Sequence, residues 1–230
     1  YGDGCSESSL SHLIKGRRSN FIIATKFGRN ANFLLENLPI IRYPFYGASS
    51  LINKLTKVNI RKQAVDFSLI NCRRSLSLSL KALQTDYIDI LHMHEPSISD
   101  LIDNHDLLQF FDEIRRSGVV RYIGVSGDLD SIRPIMASFD DAFDLIQVED
   151  SILHNNVNYL EKIGYEPSIT FGYFRDAIKA GFDPKHIINL IADRTFNRHA
   201  LFSSTDIAHI EEVVSIFSRN VMSHYLDGCV

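Results

Sequence analysis

The chain has 230 residues, of which 45% are hydrophobic and 23% charged, close to globular averages, so a disordered or low-complexity protein is excluded. A net charge of −4, from 24 Lys and Arg against 28 Asp and Glu, argues against a surface that binds nucleic acid or an anionic membrane. Three widely separated cysteines (Cys5, Cys72 and Cys229) indicate neither a disulfide framework nor a zinc site, and they favour a reducing, cytoplasmic setting.

Short β-branched runs alternate along the chain with longer stretches of helical periodicity. That alternation predicts a parallel α/β fold, because each crossover between parallel strands needs a helix. The predicted strands are apolar on both faces, as strands covered by helices should be. They are 21–26, 87–94, 122–126, 145–148, 168–171 and 200–203.

The predicted helices begin with a short one that Ser6 caps and Gly16 ends. The clearest spans 61–83, where apolar residues recur every three or four positions at Val65, Leu69, Cys72, Leu76, Leu80 and Leu83. The others are 104–117, 129–138, 184–193 and 207–219, the last with Ile207, Ile210, Val214 and Phe217 on one face. Since no linker or repeat interrupts the pattern, one domain over residues 1–230 is expected.

One connection is far longer than the rest. Residues 29–60 separate a strand from its helix, where two to six residues would be usual. Loops of this kind after parallel strands are often lids or pocket walls, so 29–60 is expected to form a wall on the substrate side. A surface loop with a small aromatic cluster is the alternative.

Polar residues at the carboxyl ends of parallel strands are the expected place for chemistry, which selects Lys26, His94, Ser126 and Gln147. Each has a plainer explanation: a lysine that reaches solvent, or a histidine bonded in the core. The alternation of side chains in a strand places His92 and His94 on one face, which raises a metal site as an alternative. No cluster of strand-end carboxylates accompanies them, so no metal is predicted.

Five motifs, in order, resemble the aldo-keto reductases. They are Tyr1-Gly2-Asp3-Gly4 with Ala24-Thr25-Lys26-Phe27-Gly28, Asp86-Tyr87-Ile88-Asp89 leading to His94, Arg121 to Ser126, Leu145 to Val148, and Leu201 to Glu212. The resemblance implies a (β/α)8 TIM barrel that reduces an aldehyde or ketone with NAD(P)H, NADP(H) being more expected than NAD(H). It implies no nucleic-acid or membrane partner, and the sequence indicates no oligomeric state.

The resemblance also implies roles for single residues. Tyr1 would donate the proton, Lys26 would lower the pKa of that phenol, and His94 would hydrogen-bond the carbonyl oxygen. Ser126 and Gln147 would hold the nicotinamide carboxamide, and Phe171 would stack on its ring. Ser203, Ser204, His209 and Glu212 would bind the adenosine end, although the family often has cations at Ser203 and His209.

The family's tetrad aspartate is expected about five residues before Tyr1, and its barrel has eight strands. The chain is therefore expected to lack the family's first strands, roughly 50 residues at about 30 per unit. Two alternatives to a reductase stay open. One is a nucleotide-binding barrel without catalysis that acts as a regulatory subunit, and the other is a metal-dependent hydrolase using His92 and His94.

Overall fold

The computed structural model describes residues 5–29, 65–102, 104–194 and 198–227. The chain divides into two compact units, Tyr1–Gly124 and Val125–Val230, each described here by itself. The expectation of one domain over residues 1–230 stays a prediction. No helix among the described residues is long and apolar enough to cross a membrane.

The strands confirm the parallel α/β prediction. The strands are β1 (Ala24–Phe27), β2 (Ile88–His94), β3 (Val120–Gly127), β4 (Leu145–Glu149), β5 (Ile169–Phe171) and β6 (His199–Ala200). In the first unit β1 neighbours β2, and β2 neighbours β3, which continues into the second unit and is followed there by β4, β5 and β6. The pairings of β1 with β2, β4 with β5 and β5 with β6 are parallel. The last predicted strand, 200–203, is too long, because β6 ends at Ala200.

Helices follow the strands as the periodicity predicts. They are α1 (Cys5–Ile14), α2 (Leu69–Leu83), α3 (Ser99–Ile102), α4 (His105–Arg116), α5 (Leu129–Phe139), α6 (Asn156–Lys162), α7 (Tyr173–Lys179), α8 (Pro184–Arg194) and α9 (Ile207–Asp227). The periodicity misses three short helices, α3, α6 and α7. The predicted cap at Ser6 is wrong, since α1 already begins at Cys5.

The predicted helix over 61–83 is wrong at residues 65–68, whereas residues 61–64 lie outside the described residues. Helix α2 begins at Leu69, because Ser68 is extended and its hydroxyl accepts a hydrogen bond from the amide of Asn71 at 3.2 Å. Val65, expected on the buried face, is exposed and forms an antiparallel bridge with Arg29. Residues 30–64, which include nearly all of the expected loop over 29–60, lie outside the described residues.

The predicted apolar face of α9 is wrong for three of its four residues, whereas the fourth, Phe217, is partly buried and packs against buried residues of this unit. Ile207, Ile210 and Val214 are exposed, and the helix buries Val213 and Ile216 instead. These two residues pack with Ile188 of α8. The position of the neighbouring helix, rather than the number of apolar residues on each side of α9, decides which face of α9 is buried. A second cluster in this unit joins α7 to α8 through Tyr173, Ala177, Ile187 and Ile191.

Aromatic packing fixes the end of β1 in the first unit. The ring of Phe27 meets Phe67 and Phe111 edge to face, with centroids 5.9 and 6.1 Å apart. Gly28 then adopts a φ of +106°, and a Cβ there would lie 1.9 Å from the Phe67 ring. Only glycine fits that turn, so the direction in which the chain leaves β1 is determined.

Candidate active site

Lys26 lies one residue before the end of β1, beside His92 of β2. Since register partners in a parallel pair project to the same side of the sheet, Lys26, His92 and His94 share one face. Phe27 projects to the opposite face, among the helices. The packing of Phe27 and Gly28 therefore holds the backbone from which Lys26 extends.

Burial lowers the pKa of Lys26 from 10.5 to about 8, and the negative charge of Glu95 opposes that shift. Taking an ammonium out of water disfavours its charged form, which explains the direction. A lysine with a pKa near 8 is still mostly charged at neutral pH. It can therefore stabilise a neighbouring anion and exchange protons near the pH at which enzymes work.

His94 closes β2 and is partly buried, with 22% of its side chain exposed. Burial, together with the positive charges of Lys26 and Arg29, lowers its pKa from 6.5 to about 4. The imidazole is therefore neutral at pH 7, with one nitrogen as donor and the other as acceptor. A neutral imidazole keeps one N–H group, which can donate a hydrogen bond to a carbonyl oxygen.

His92 is fully buried, and neither of its ring nitrogens has a hydrogen-bond partner among the described residues. Burial lowers its pKa to about 3, helped by the charges of Lys26 and His94. Among the described residues, no group of three or more His, Cys, Asp or Glu side chains is placed to hold a metal ion. Nothing in that part of the chain supports the metal-dependent alternative for His92 and His94.

Glu95 and Arg29 form an ion pair beside these side chains. One carboxylate oxygen of Glu95 contacts Arg29, and the other lies 4.0 Å from Nε2 of His94. Glu95 has a φ of 55°, which is uncommon for a residue other than glycine. Sequence reasoning missed both residues because each lies just beyond a strand end, although adjacency to Gly28 and His94 could have indicated them.

The second unit contains the residues expected to hold the nicotinamide. Ser126 in β3 and Gln147 in β4 are almost fully buried polar side chains. Phe171 ends β5 and is partly buried, and Gly172 follows it with a φ of +88°. A Cβ at Gly172 would meet the Glu149 side chain at 2.6 Å, so glycine is required there. The roles of these residues stay predictions.

Two of the four residues predicted for the adenosine end, Ser204 and His209, lie beside Asp206 at the start of α9. The hydroxyl of Ser204 accepts from the amide of Asp206 at 3.0 Å, and Nε2 of His209 lies 3.9 Å from the Asp206 carboxylate. Asp206 itself caps the helix by accepting from the amide of Ala208 at 2.9 Å.

The other two predicted residues do not join this group. Ser203 is exposed. Glu212 instead pairs with Lys185 of α8 at 3.5 Å. Asp206, which the sequence analysis missed, is the acidic group at this position. Tyr1, the predicted proton donor, lies outside the described residues.

Comparison with known proteins identifies the family. The sequence profile of the aldo/keto reductase family matches residues 1–165, and the chain belongs to that family. The fold is likewise that of the aldo-keto reductase barrels. A structure of an aldo-keto reductase from Klebsiella pneumoniae in complex with NADPH matches 95% of this chain and 72% of its own, with a TM-score of 0.61 and 16% identity.

Two curated relatives are also similar to this chain. An uncharacterized oxidoreductase of Bacillus subtilis, YqkF, is 30% identical over 58% of this chain and 34% of its own length. L-galactose dehydrogenase of Arabidopsis thaliana is 28% identical over 55% of this chain and 31% of its own. The chain thus matches about a third of the length of these curated relatives.

Proposed function

We propose that the protein is an oxidoreductase that uses NADP(H) to reduce a small aldehyde or ketone to an alcohol. The observation that carries the proposal is the pairing, at adjacent strand ends, of a lysine with a lowered pKa and a neutral histidine, Lys26 and His94. The names of the curated relatives, an oxidoreductase and a dehydrogenase, support it. The cytoplasmic location stays a prediction.

The second unit offers groups that fit the cofactor. The buried hydroxyl of Ser126 and the buried amide of Gln147 are suited to hydrogen-bond a carboxamide, and the ring of Phe171 is suited to stack on an aromatic ring. When bound, the cofactor would supply a hydride to the carbonyl carbon. Ser204 and His209 would contact its adenosine end, with NADP(H) more expected than NAD(H).

The residues of the first unit would manage the proton. The Lys26 ammonium would stabilise the phenolate form of Tyr1 and so make the phenol proton available to the carbonyl oxygen. His94 would donate a hydrogen bond to the same oxygen, which orients the carbonyl and steadies the negative charge that develops there. Both side chains have the protonation state that these roles need at pH 7.

The test is the decrease in NADPH or NADH absorbance with a panel of aldehydes. The Lys26→Met variant is expected to lose about 100-fold or more of kcat/KM, the usual size of a general acid–base contribution. Lys162→Met, at an exposed position of α6, is the matched control and should keep full activity.

Two results would contradict the proposal: full activity in Lys26→Met, or no turnover of any carbonyl by the unsubstituted protein. Tight binding of the cofactor without turnover would favour the regulatory alternative instead. Fluorescence titration with NADPH distinguishes that outcome from a failure to bind.

A further inference from the structure

Glu95 has a backbone conformation that is uncommon for a residue other than glycine. It follows β2 directly, and its backbone adopts a left-handed φ of 55°, although it carries a long side chain. Such a conformation persists in a folded protein when the surrounding contacts hold it. The carboxylate of Glu95 makes one such contact, an ion pair with Arg29.

Each carboxylate oxygen of Glu95 has a different neighbour. Oε2 is paired with the Arg29 guanidinium, and Oε1 lies 4.0 Å from Nε2 of His94. Arg29 is fixed in turn by its bridge to Val65. The carboxylate is therefore held at one end by a positioned cation and faces the strand-end histidine with the other.

The negative charge of the Glu95 carboxylate acts on the protonation of Lys26. Among the residues that the structure describes, the groups on or beside its face include His92, His94, Arg29 and Glu95. Both histidines are neutral at pH 7, and Arg29 is positive. Within the described part of the chain, Glu95 is the group whose negative charge favours the ammonium form of Lys26 against burial.

We propose that Glu95 is a positioning residue of the reductase, held by Arg29 beside His94, that maintains Lys26 as a cation. The inference rests on the proposed function, in which Lys26 must be charged to assist the proton donor. In this role Glu95 acts through the charge of Lys26.

The experiment measures Lys26 directly. The protein is acetylated with a trace of acetic anhydride at a series of pH values, and the extent of modification at Lys26 is measured by peptide mass spectrometry. Only the neutral amine reacts, so the curve gives the titration midpoint without any need for turnover. In Glu95→Gln the midpoint is expected at least half a pH unit lower, an approximately threefold change in the ratio of charged to neutral Lys26.

Matched variants separate this effect from a general loss of charge. Glu95→Asp keeps the carboxylate and should recover part of the shift. Arg29→Gln leaves the carboxylate without its neutralising partner and should raise the midpoint. Glu113→Gln removes an equal charge from an exposed ion pair with Arg73 and should leave it unchanged.

Activity provides a second readout. In Glu95→Gln the pH profile of kcat should move to lower pH in parallel with the Lys26 midpoint, while KM changes little. An unchanged Lys26 midpoint in folded Glu95→Gln, or an equal shift in Glu113→Gln, overturns the inference. A shifted midpoint in a protein that reduces no carbonyl supports the charge coupling and shows that the proposed function is what failed.

Discussion

At the scale of single residues, the environment of the two histidines of β2 decides their chemistry more than their spacing does. The sequence places His92 and His94 on one face, and the register of β1 and β2 agrees with that. The structure adds that His92 is fully buried, whereas His94 keeps part of its side chain exposed. Only His94 is therefore positioned to reach a ligand, and His92 belongs to the interior.

The buried imidazole of His92 predicts a loss of stability in acid. Its pKa is about 3 in the folded protein and 6.5 when exposed, so between these values the unfolded chain binds the extra proton. The free energy of unfolding then falls as the pH drops below about 6.5, by on the order of 2 kcal/mol at pH 5 from this group. His92→Leu should remove that part of the slope, as measured by urea unfolding at pH 5 and pH 8.

The quantity compared between the proteins is the change in the free energy of unfolding from pH 8 to pH 5. The cost of the cavity that leucine leaves does not affect this change, because that cost is the same at both pH values. His12→Gln, at an exposed position of α1, serves as the control and should keep the slope of the unsubstituted protein. A slope that is the same in His92→Leu as in the unsubstituted protein would show that His92 is not held neutral by burial.

Sequence reasoning could locate Lys26 and His94 because both follow a rule of position, the carboxyl end of a buried strand. It could not locate Glu95 or Asp206. Their importance depends on which side chains face them across elements, such as Arg29 with Glu95 and His209 with Asp206. Pairing of that kind is a property of the folded chain.

At the scale of elements, the alternation of strands and helices was predictable, but boundaries and buried faces were not. Helix α2 begins at Leu69, and residues 65–68 do not belong to it, because a local cap at Ser68 outweighed a continuing apolar period. In α9 the covered stripe contains Val213 and Ile216, because α8 packs there. The apolar spacing of Ile207, Ile210 and Val214 could not show that, since an amphipathic pattern does not name its partner.

The start of α9 yields a prediction about cofactor choice. If Ser204 and His209 receive the adenosine end, the Asp206 carboxylate beside them repels a 2′-phosphate more than it repels a ribose hydroxyl. Asp206→Asn keeps a good helix cap but removes the charge. The variant should bind NADPH about fivefold more tightly with little change for NADH, as measured by fluorescence titration at low salt.

The matched control is Asp183→Asn at the start of α8, where the carboxylate likewise accepts from a backbone amide, that of His186 at 3.1 Å. It lies outside the predicted adenosine segment and should change neither affinity. Equal tightening for NADPH and NADH in Asp206→Asn would place the adenosine end elsewhere.

At the scale of the whole molecule, the fold class was predictable because it depends on the rhythm of the sequence, whereas the interactions that tie each unit together depend on distant residues. In the first unit the buried carboxylate of Asp89 joins three segments. It accepts from Arg18 at 2.6 Å, from Arg121 at 2.8 Å and from the amide of Ile23 at 2.8 Å. The ring of Tyr87 lies against both guanidinium groups, 3.9 and 4.5 Å from its centroid.

This arrangement predicts that Asp89 is among the most sensitive positions for stability in the first unit. Asp89→Asn should lower the free energy of unfolding by about 3 kcal/mol, because it leaves Arg18, which is largely buried, without a countercharge. Asp112→Asn removes the same charge from an exposed pair with Arg115 and should cost less than about 1 kcal/mol. The measurement is urea unfolding of the two variants at pH 7. Where the dependence of the free energy on urea concentration is the same in both, the difference between their unfolding midpoints gives the difference in stability. Equal losses would mean that the segments around Asp89 are held by their apolar contacts, and that the buried carboxylate contributes no more than a surface ion pair.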